Sequence, residues 1–443
     1  MTVDLRWFLN LLEEEGELLR VRRKVSPKFE LPSVAKKARD KAVLFEKVEG
    51  SQMRVVSSVL SKRSMLALAL KTDEHKVLEE FMKRGGKSIL PKIVSRGPVK
   101  EVIKTGEEAD LGDLPIVTYS EKDVGPFITA GIVIAKDPET KARNVSYNRM
   151  QLKGPRKLGI DITPPSDLDS IRKKMEQLSE PLEIAIAIGN FPTEMIAGAT
   201  RLPSGIDEFE LASALRQEPL PLIKCETIDV EVPAYSEVVI EGIIPPNIRE
   251  PEGPFGEFSG YYNAVKDESI IEIKAITQQD SPIYQTIHCG SLEEHYLKSL
   301  HKEEKIFNAI AANGTEVKAI SLVPVPFICS ISIKKRLGGE PMNVALAALS
   351  TDTSLKYCIV VDDDVDVYDS ADVFWAIATR SQPDKSIFTV PGALGATNLE
   401  LNLSKVGIDA TAPLGNKDKF ERTKIPSEKF KLRDYLLTRA KDS

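Results

Sequence analysis

Between Arg249 and Asn263 the chain runs Arg-Glu-Pro-Glu-Gly-Pro-Phe-Gly-Glu-Phe-Ser-Gly-Tyr-Tyr-Asn, a density of proline and glycine that excludes a helix or a central strand. It reads as a built loop. Pro251 and Pro254 fix their own φ and push the preceding residues toward extended backbone, whereas Gly253, Gly256 and Gly260 permit positive φ or close approach of another group. Glu252 and Glu257 would lie on different faces of a helix, but a rigid turn can aim both into one cavity. Two carboxyl groups in one cavity suit acid–base work, because repulsion and partial burial raise one pKa until it can donate a proton near neutrality. The plainer reading is a surface turn with solvated glutamates.

The rest of the chain decides how much machinery surrounds this loop. Its 443 residues, 42% hydrophobic and 28% charged, are enough for two or three domains with sizeable cores. A net charge of −6 argues against a nucleic-acid or membrane-surface partner. The N-terminus has no basic and apolar leader pattern, and no apolar run reaches the ~18 residues that span a bilayer, so a cytoplasmic protein is expected. Cys225, Cys289, Cys329 and Cys358 are scattered without Cys-x-x-Cys spacing, which favours reduced structural thiols over a zinc site.

Taken in order, residues 1–105 alternate helix and strand, beginning with a helix over Leu5–Glu15 closed by Gly16 and a second over Pro32–Lys41. This is an N-terminal α/β domain. Residues 106–297 carry short apolar runs separated by turn residues, which point to a β-barrel or a sandwich. Residues 298–443 return to alternating helix and strand and form a C-terminal α/β domain. There, Asp362-Asp363-Asp364-Val365-Asp366 lacks the spacing and glycine of a calcium loop and reads as a strand-end acidic cluster. The fold class is thus a multidomain mixture of α/β and α+β.

Two further strings carry polar side chains in useful patterns. In Asn144-Val145-Ser146-Tyr147-Asn148-Arg149 a strand would place Asn144, Ser146 and Asn148 on one face and Arg149 on the other unless it bends. A guanidinium there can hold a substrate carboxylate by two hydrogen bonds while pairing with a glutamate. In Ile206-Asp207-Glu208-Phe209-Glu210 acids precede a helix, and taken alone Glu208 reads as a helix-start charge; the family resemblance given below implies a metal ligand there, Glu208 before its neighbour Glu210. After the acidic loop, Ser291 and Glu294 make a capping box; Glu293 and His295 are pocket candidates only through the family resemblance given below.

The string Glu252-Gly253-Pro254-Phe255-Gly256-Glu257 followed by Gly260-Tyr261 resembles the signature of the UbiD family of decarboxylases. So do Asn144 five residues before Arg149, the Glu208 segment, and the Trp375-Ala376-Ile377-Ala378-Thr379-Arg380 and Lys405-Val406-Gly407-Ile408-Asp409 stretches. The resemblance implies a central split β-barrel binding prenylated FMN, nonoxidative decarboxylation of an unsaturated or aromatic acid, and Glu257 as proton donor with Arg149 and Glu252 organising the charge. It further implies Asn144 and Glu208 as ligands of Mn²⁺ or Mg²⁺, with K⁺ as a companion ion, and Tyr147, Asn148, Arg149, Thr200, Glu208 and Lys405 around the flavin, Lys405 on its phosphate. The family histidine between the two motifs is absent from Lys157 to Asp167, which leaves Ser166, Asp167, water or phosphate oxygen as the third ligand.

That departure is most similar to archaeal members acting on trans-anhydromevalonate 5-phosphate in the mevalonate pathway, giving isopentenyl phosphate and CO₂. Lys153, Arg156 and His288 are candidates for the substrate phosphate. A 4-hydroxybenzoate-type or polyprenyl-4-hydroxybenzoate decarboxylase is the alternative, and a non-catalytic flavin-binding assembly protein is the alternative of another class. A flavin prenyltransferase supplying the cofactor and a homo-oligomer, dimer or hexamer, through the C-terminal domain are the implied partners.

Overall fold

The computed structural model describes residues 3–395 and 404–423, so that residues 424–443 of the expected C-terminal domain lie outside the described residues. The chain forms two compact units. One comprises Met1–Asn308 with Ser321–Ile328, and the other Ala309–Ile320 with the residues from Cys329 onward.

In the first unit the helix Leu5–Glu14 buries Leu5, Phe8, Leu9 and Leu12, the face that helical spacing predicts. Asp4 caps it by accepting from the Trp7 N–H at 2.8 Å. The second helix starts earlier than expected, at Glu30–Lys37, with Pro32 in its first turn. Strands Leu18–Val21, Ala42–Phe45 and Arg54–Ser57 build a small sheet whose fourth member, Ile283–Thr286, comes from the far end of the middle portion. That strand ties residues 1–105 into the same unit as the middle portion.

A ten-stranded sheet organises the centre. Its path runs Phe127–Ile128, Met150–Gly154, Lys157–Ile160, Lys266–Gln278, Val238–Ile244, Leu182–Ile188, Ile132–Lys136 and Arg143–Tyr147. Val102–Thr105 and Arg249–Glu252 add to the long strand Lys266–Gln278. Side chains alternate between two cores: Ile132, Ile134, Ala185, Ala187 and Val239 face one, Val133, Ala135, Ile184, Ile186 and Ile240 the other. Helices Pro192–Ala199 and Glu208–Arg216 cover the first face with Met195, Ile196, Phe209 and Leu215.

The sheet must curl strongly. Phe127–Ile128 lies at one margin, yet residues 129–131 alone carry the chain to Ile132, beside the other margin. Asn148 and Arg149 alone lead back from Tyr147, on that other margin, to Met150. Such links reach no more than about 14 and 11 Å. The ladder stays open, since among the described residues no pairing joins Phe127–Ile128 to Arg143–Tyr147.

In one respect the loop reading is corrected. Arg249–Glu252 is a strand, paired antiparallel with Lys266–Ser269, and Pro251 is tolerated because its strand lies on an edge. The second unit holds a five-stranded sheet with helices Glu340–Thr351 and Ser370–Arg380. Its acidic cluster is internally balanced: Arg380 donates to Asp362 at 2.8 Å and to both oxygens of Asp364 at 2.8 and 2.7 Å. Among the described residues no disulfide forms, and no helix is long and apolar enough to cross a membrane.

Candidate active site

The two-residue link between the sheet margins delivers Arg149, and the strand beginning at Arg249 delivers the acids. Arg149 Nε and Nη2 donate to the two oxygens of Glu252, each at 2.9 Å, a parallel two-bond grip across 103 positions of sequence. Its third nitrogen, Nη1, reaches Glu257 Oε1 at 2.5 Å. The predicted triad meets. Glu252 is fully buried, whereas Glu257 keeps 17% of its side chain exposed and pairs through Oε1 only.

The loop is pinned so that both acids point at one cation. Gly253 adopts φ +88°, which a side chain would strain, and a Cβ on Gly256 would sit 3.1 Å from Ser120 Oγ. The Gly256 N–H donates to Asp123 at 2.9 Å, and the Phe255 N–H to Asn263 at 2.6 Å. The Phe255 ring, 1% exposed, packs on Phe127 at a centroid distance of 4.5 Å and lies 5.6 Å beneath the Arg149 guanidinium.

Sequence reasoning missed a third acid. Asp161 Oδ2 lies 2.8 Å from Arg149 Nη1, the nitrogen that also serves Glu257. The antiparallel register pairs Met150 with Ile160, so the next residue outward on each strand is Arg149 and Asp161. A hairpin centred on Gly154-Pro155-Arg156 was the signal that could have found it.

Burial works against the Arg149 charge, but Glu252, Asp161 and Glu257 outweigh it and raise its pKa. Burial also raises the Glu257 pKa, against the pull of Arg149 and with the help of Asp161. Next to these, Glu268 is pushed up to about 7 by burial and then by Asp161.

A second cluster lies on the strand preceding Arg149. Glu208, 5% exposed, accepts from the Val145 N–H at 2.8 Å, and burial pushes its pKa up to about 8. Asn144 Oδ1 is buried and makes no hydrogen bond among the described residues. A carboxylate with its charge poorly compensated beside an orphaned amide oxygen fits a hard divalent cation. Arg143, the residue before Asn144, donates to Asp207 at 2.9 Å and to Glu231 at 2.8 Å. No group of three or more His, Cys, Asp or Glu able to hold a metal occurs among the described residues, and of the candidate third ligands Ser166 caps a helix by accepting from the Asp169 N–H at 3.2 Å while Asp167 helps raise the Glu208 pKa. Tyr147 also has a buried hydroxyl without a partner, fitting a ligand donor or acceptor, while the Thr200 hydroxyl is turned to the Ile196 carbonyl at 2.7 Å. Asn148 donates to the Asp161 carbonyl at 2.8 Å.

The remaining candidates are placed otherwise. Lys405 is a correction: its buried ammonium donates to the carbonyls of Leu349 at 2.6 Å and Asp352 at 3.0 Å, closing the C-terminus of Glu340–Thr351 rather than presenting itself to a phosphate. Lys153 is engaged by the Pro251 carbonyl at 2.6 Å, and Arg156 is exposed. His288 stacks on Tyr119 at 5.5 Å, its pKa lowered by burial and Lys36. Glu293, with no exposure, accepts from the Ser58 and Leu60 N–H groups at 2.9 and 3.3 Å and so supports a turn rather than lining a pocket. Glu294 reaches back to the Gly290 N–H at 2.6 Å, as a cap does. Burial lowers the His295 pKa.

Family models match most of the chain. Residues 9–85, 92–292 and 295–410 match the N-terminal, Rift-related and C-terminal domains of 3-octaprenyl-4-hydroxybenzoate carboxy-lyase (UbiD). Anhydromevalonate phosphate decarboxylase of Methanothermobacter thermautotrophicus is 35% identical over 426 residues, covering 94% of this chain and 99% of its own. The UbiD-class enzyme HmfF of Pelotomaculum thermopropionicum, solved with FMN, superposes with a TM-score of 0.93 at 40% identity over 98% of this chain and 100% of its own. An evolved dimeric form of HmfF, solved with prenylated FMN, gives 0.91 at 39% identity over the same shares of the two chains. On these matches the chain belongs to the UbiD family of carboxy-lyases.

Proposed function

We propose that this chain is a prenylated-FMN-dependent decarboxylase of trans-anhydromevalonate 5-phosphate, releasing CO₂ and isopentenyl phosphate. The observation that carries the decarboxylase reading is the Arg149 guanidinium gripping Glu252 with two bonds and Glu257 with one. The substrate follows the Methanothermobacter relative and the missing histidine between Lys157 and Asp167. The family's 3-octaprenyl-4-hydroxybenzoate activity keeps an aromatic acid as the second reading.

Prenylated FMN, when bound, supplies the electron sink that loss of a carboxylate as CO₂ requires. The protein supplies position and a proton. Arg149 orients the departing carboxylate, and Glu252, without exposure to water, fixes the guanidinium plane. Glu257, pairing through Oε1 alone, holds its proton on Oε2 and delivers it to the carbon vacated by CO₂. Asn144 and Glu208 would hold Mn²⁺ or Mg²⁺, with K⁺ as a companion ion, and Tyr147, Asn148 and Thr200 would border the flavin. The curled sheet suits a split barrel around that cofactor. Residues 1–105, 106–297 and 298–443 serve as its N-terminal, catalytic and oligomerising parts, with a flavin prenyltransferase as cofactor supplier.

The test is CO₂ release by cofactor-loaded protein from trans-anhydromevalonate 5-phosphate and from 4-hydroxybenzoate. Turnover of the phosphorylated acid alone is expected; turnover of the aromatic acid alone overturns the substrate. Glu257→Gln is expected to retain flavin but lose turnover by about 10²–10⁴-fold, the usual share of a proton donor. Wild-type turnover in that variant would remove Glu257 from the role.

A further inference from the structure

Three carboxylates crowd one guanidinium, and they are not equivalent. Glu252 takes Nε and Nη2 and has the first claim on the charge. Nη1 donates to Glu257 Oε1 at 2.5 Å, and Asp161 Oδ2 stands 2.8 Å from the same nitrogen as an ion pair. The side chains of Arg149, Glu252, Glu257 and Asp161 are exposed by only 11%, 0%, 17% and 14%, so water does little to screen the excess negative charge.

Of the two acids beside Nη1, Asp161 has the shorter side chain and the firmer hold on its position across from Arg149. Its N–H donates to the Arg149 carbonyl at 3.2 Å and its carbonyl accepts from Asn148 at 2.8 Å, while its short side chain leaves the carboxylate little freedom to turn away. Glu257 is one methylene longer, and its backbone is held as well, its N–H donating to the Tyr261 carbonyl at 2.8 Å and its carbonyl accepting from the Gly260 N–H at 2.9 Å. The relief available to this cluster is a proton on Glu257.

We propose, resting on the reading of Glu257 as proton donor, that Asp161 is a positioning residue that keeps a proton on Glu257 by sharing Arg149 with it. The other charges facing Glu257 do not take over this part. Glu294 and Lys298, on the helix Leu292–Ala311, pair with each other at 2.5 Å and offset one another, and the buried Cys289 thiol has its pKa raised by burial. Arg149, and after it Lys298, pulls the proton off, and Asp161 opposes that pull with repulsion of its own.

The sign of the effect is fixed. A donor works only while protonated, so turnover falls as pH rises through the Glu257 pKa. Asp161→Asn removes the rival carboxylate, lowers that pKa and moves the alkaline limb of kcat/KM down by on the order of one pH unit. Asp161→Glu keeps the charge and restores the limb. The decisive reading is made on cofactor-free protein, by ¹³C NMR titration of labelled glutamate carboxyls, with the Glu257 resonance identified by its loss in Glu257→Gln. In Asp161→Asn its midpoint is expected to fall by a similar amount. A midpoint that stays or rises overturns the proposal, and Asp161→Ser gives the same reading should the asparagine variant not fold. A midpoint that falls while the kinetic limb stays would retain Asp161 as the tuner and remove Glu257 as donor.

Discussion

Arg149 is held by groups of unequal burial, and this separates its structural from its chemical work. Glu252 has no exposure and relies on the guanidinium for both oxygens, so Arg149→Ala strands a buried charge and is expected to cost about 3–5 kcal/mol in urea unfolding. Adding Glu252→Gln should return part of that stability without returning turnover. No recovery in the double variant would show that the pair does not act as a buried ion pair. Arg149, Glu252 and Glu257 were legible because their spacing resembles a known signature. Asp161 was not, because nothing in its own string distinguishes it and only the hairpin register sets it across from Arg149. Lys405 misled for the converse reason: an inward position on the strand Ser404–Ala410 turns a cation expected at a phosphate into a helix-terminus donor.

The turn after Glu252 works as an element because one ring anchors it. Phe255 fills the space against Phe127 and Tyr119 and floors the guanidinium, so Phe255→Ala is expected to destabilise by about 3–5 kcal/mol and to lower turnover by more than flavin affinity. Parallel losses of flavin binding and turnover would place the ring's role in general packing. The Pro/Gly pattern announced a rigid turn, and Gly253 at φ +88° fits it. The pattern hid the strand Arg249–Glu252, since proline in a short run argues against pairing until an edge position is known. The leading helix and the alternating strands were readable from periodicity; the order of strands in the sheet was not, because pairing across a hundred residues leaves no local trace.

Across the whole molecule, Ile283–Thr286 returns to complete the N-terminal sheet, so that residues 1–105 share one compact unit with the middle portion. Lys405 belongs wholly to the second unit, so Lys405→Met is expected to lower protection from hydrogen exchange in Glu340–Thr351 by about 1–3 kcal/mol while leaving flavin binding intact. Lost flavin binding with unchanged protection would restore the lysine to the phosphate. The link Asn148-Arg149 has a further consequence. Where most enzymes hang their charged groups on loops free to lengthen, here the seam of the curled sheet and its guanidinium occupy the same two positions. One inserted residue would part the margins and swing the cation off its acids together, so descendants of this chain can vary the pocket around that seam but not the stitch itself.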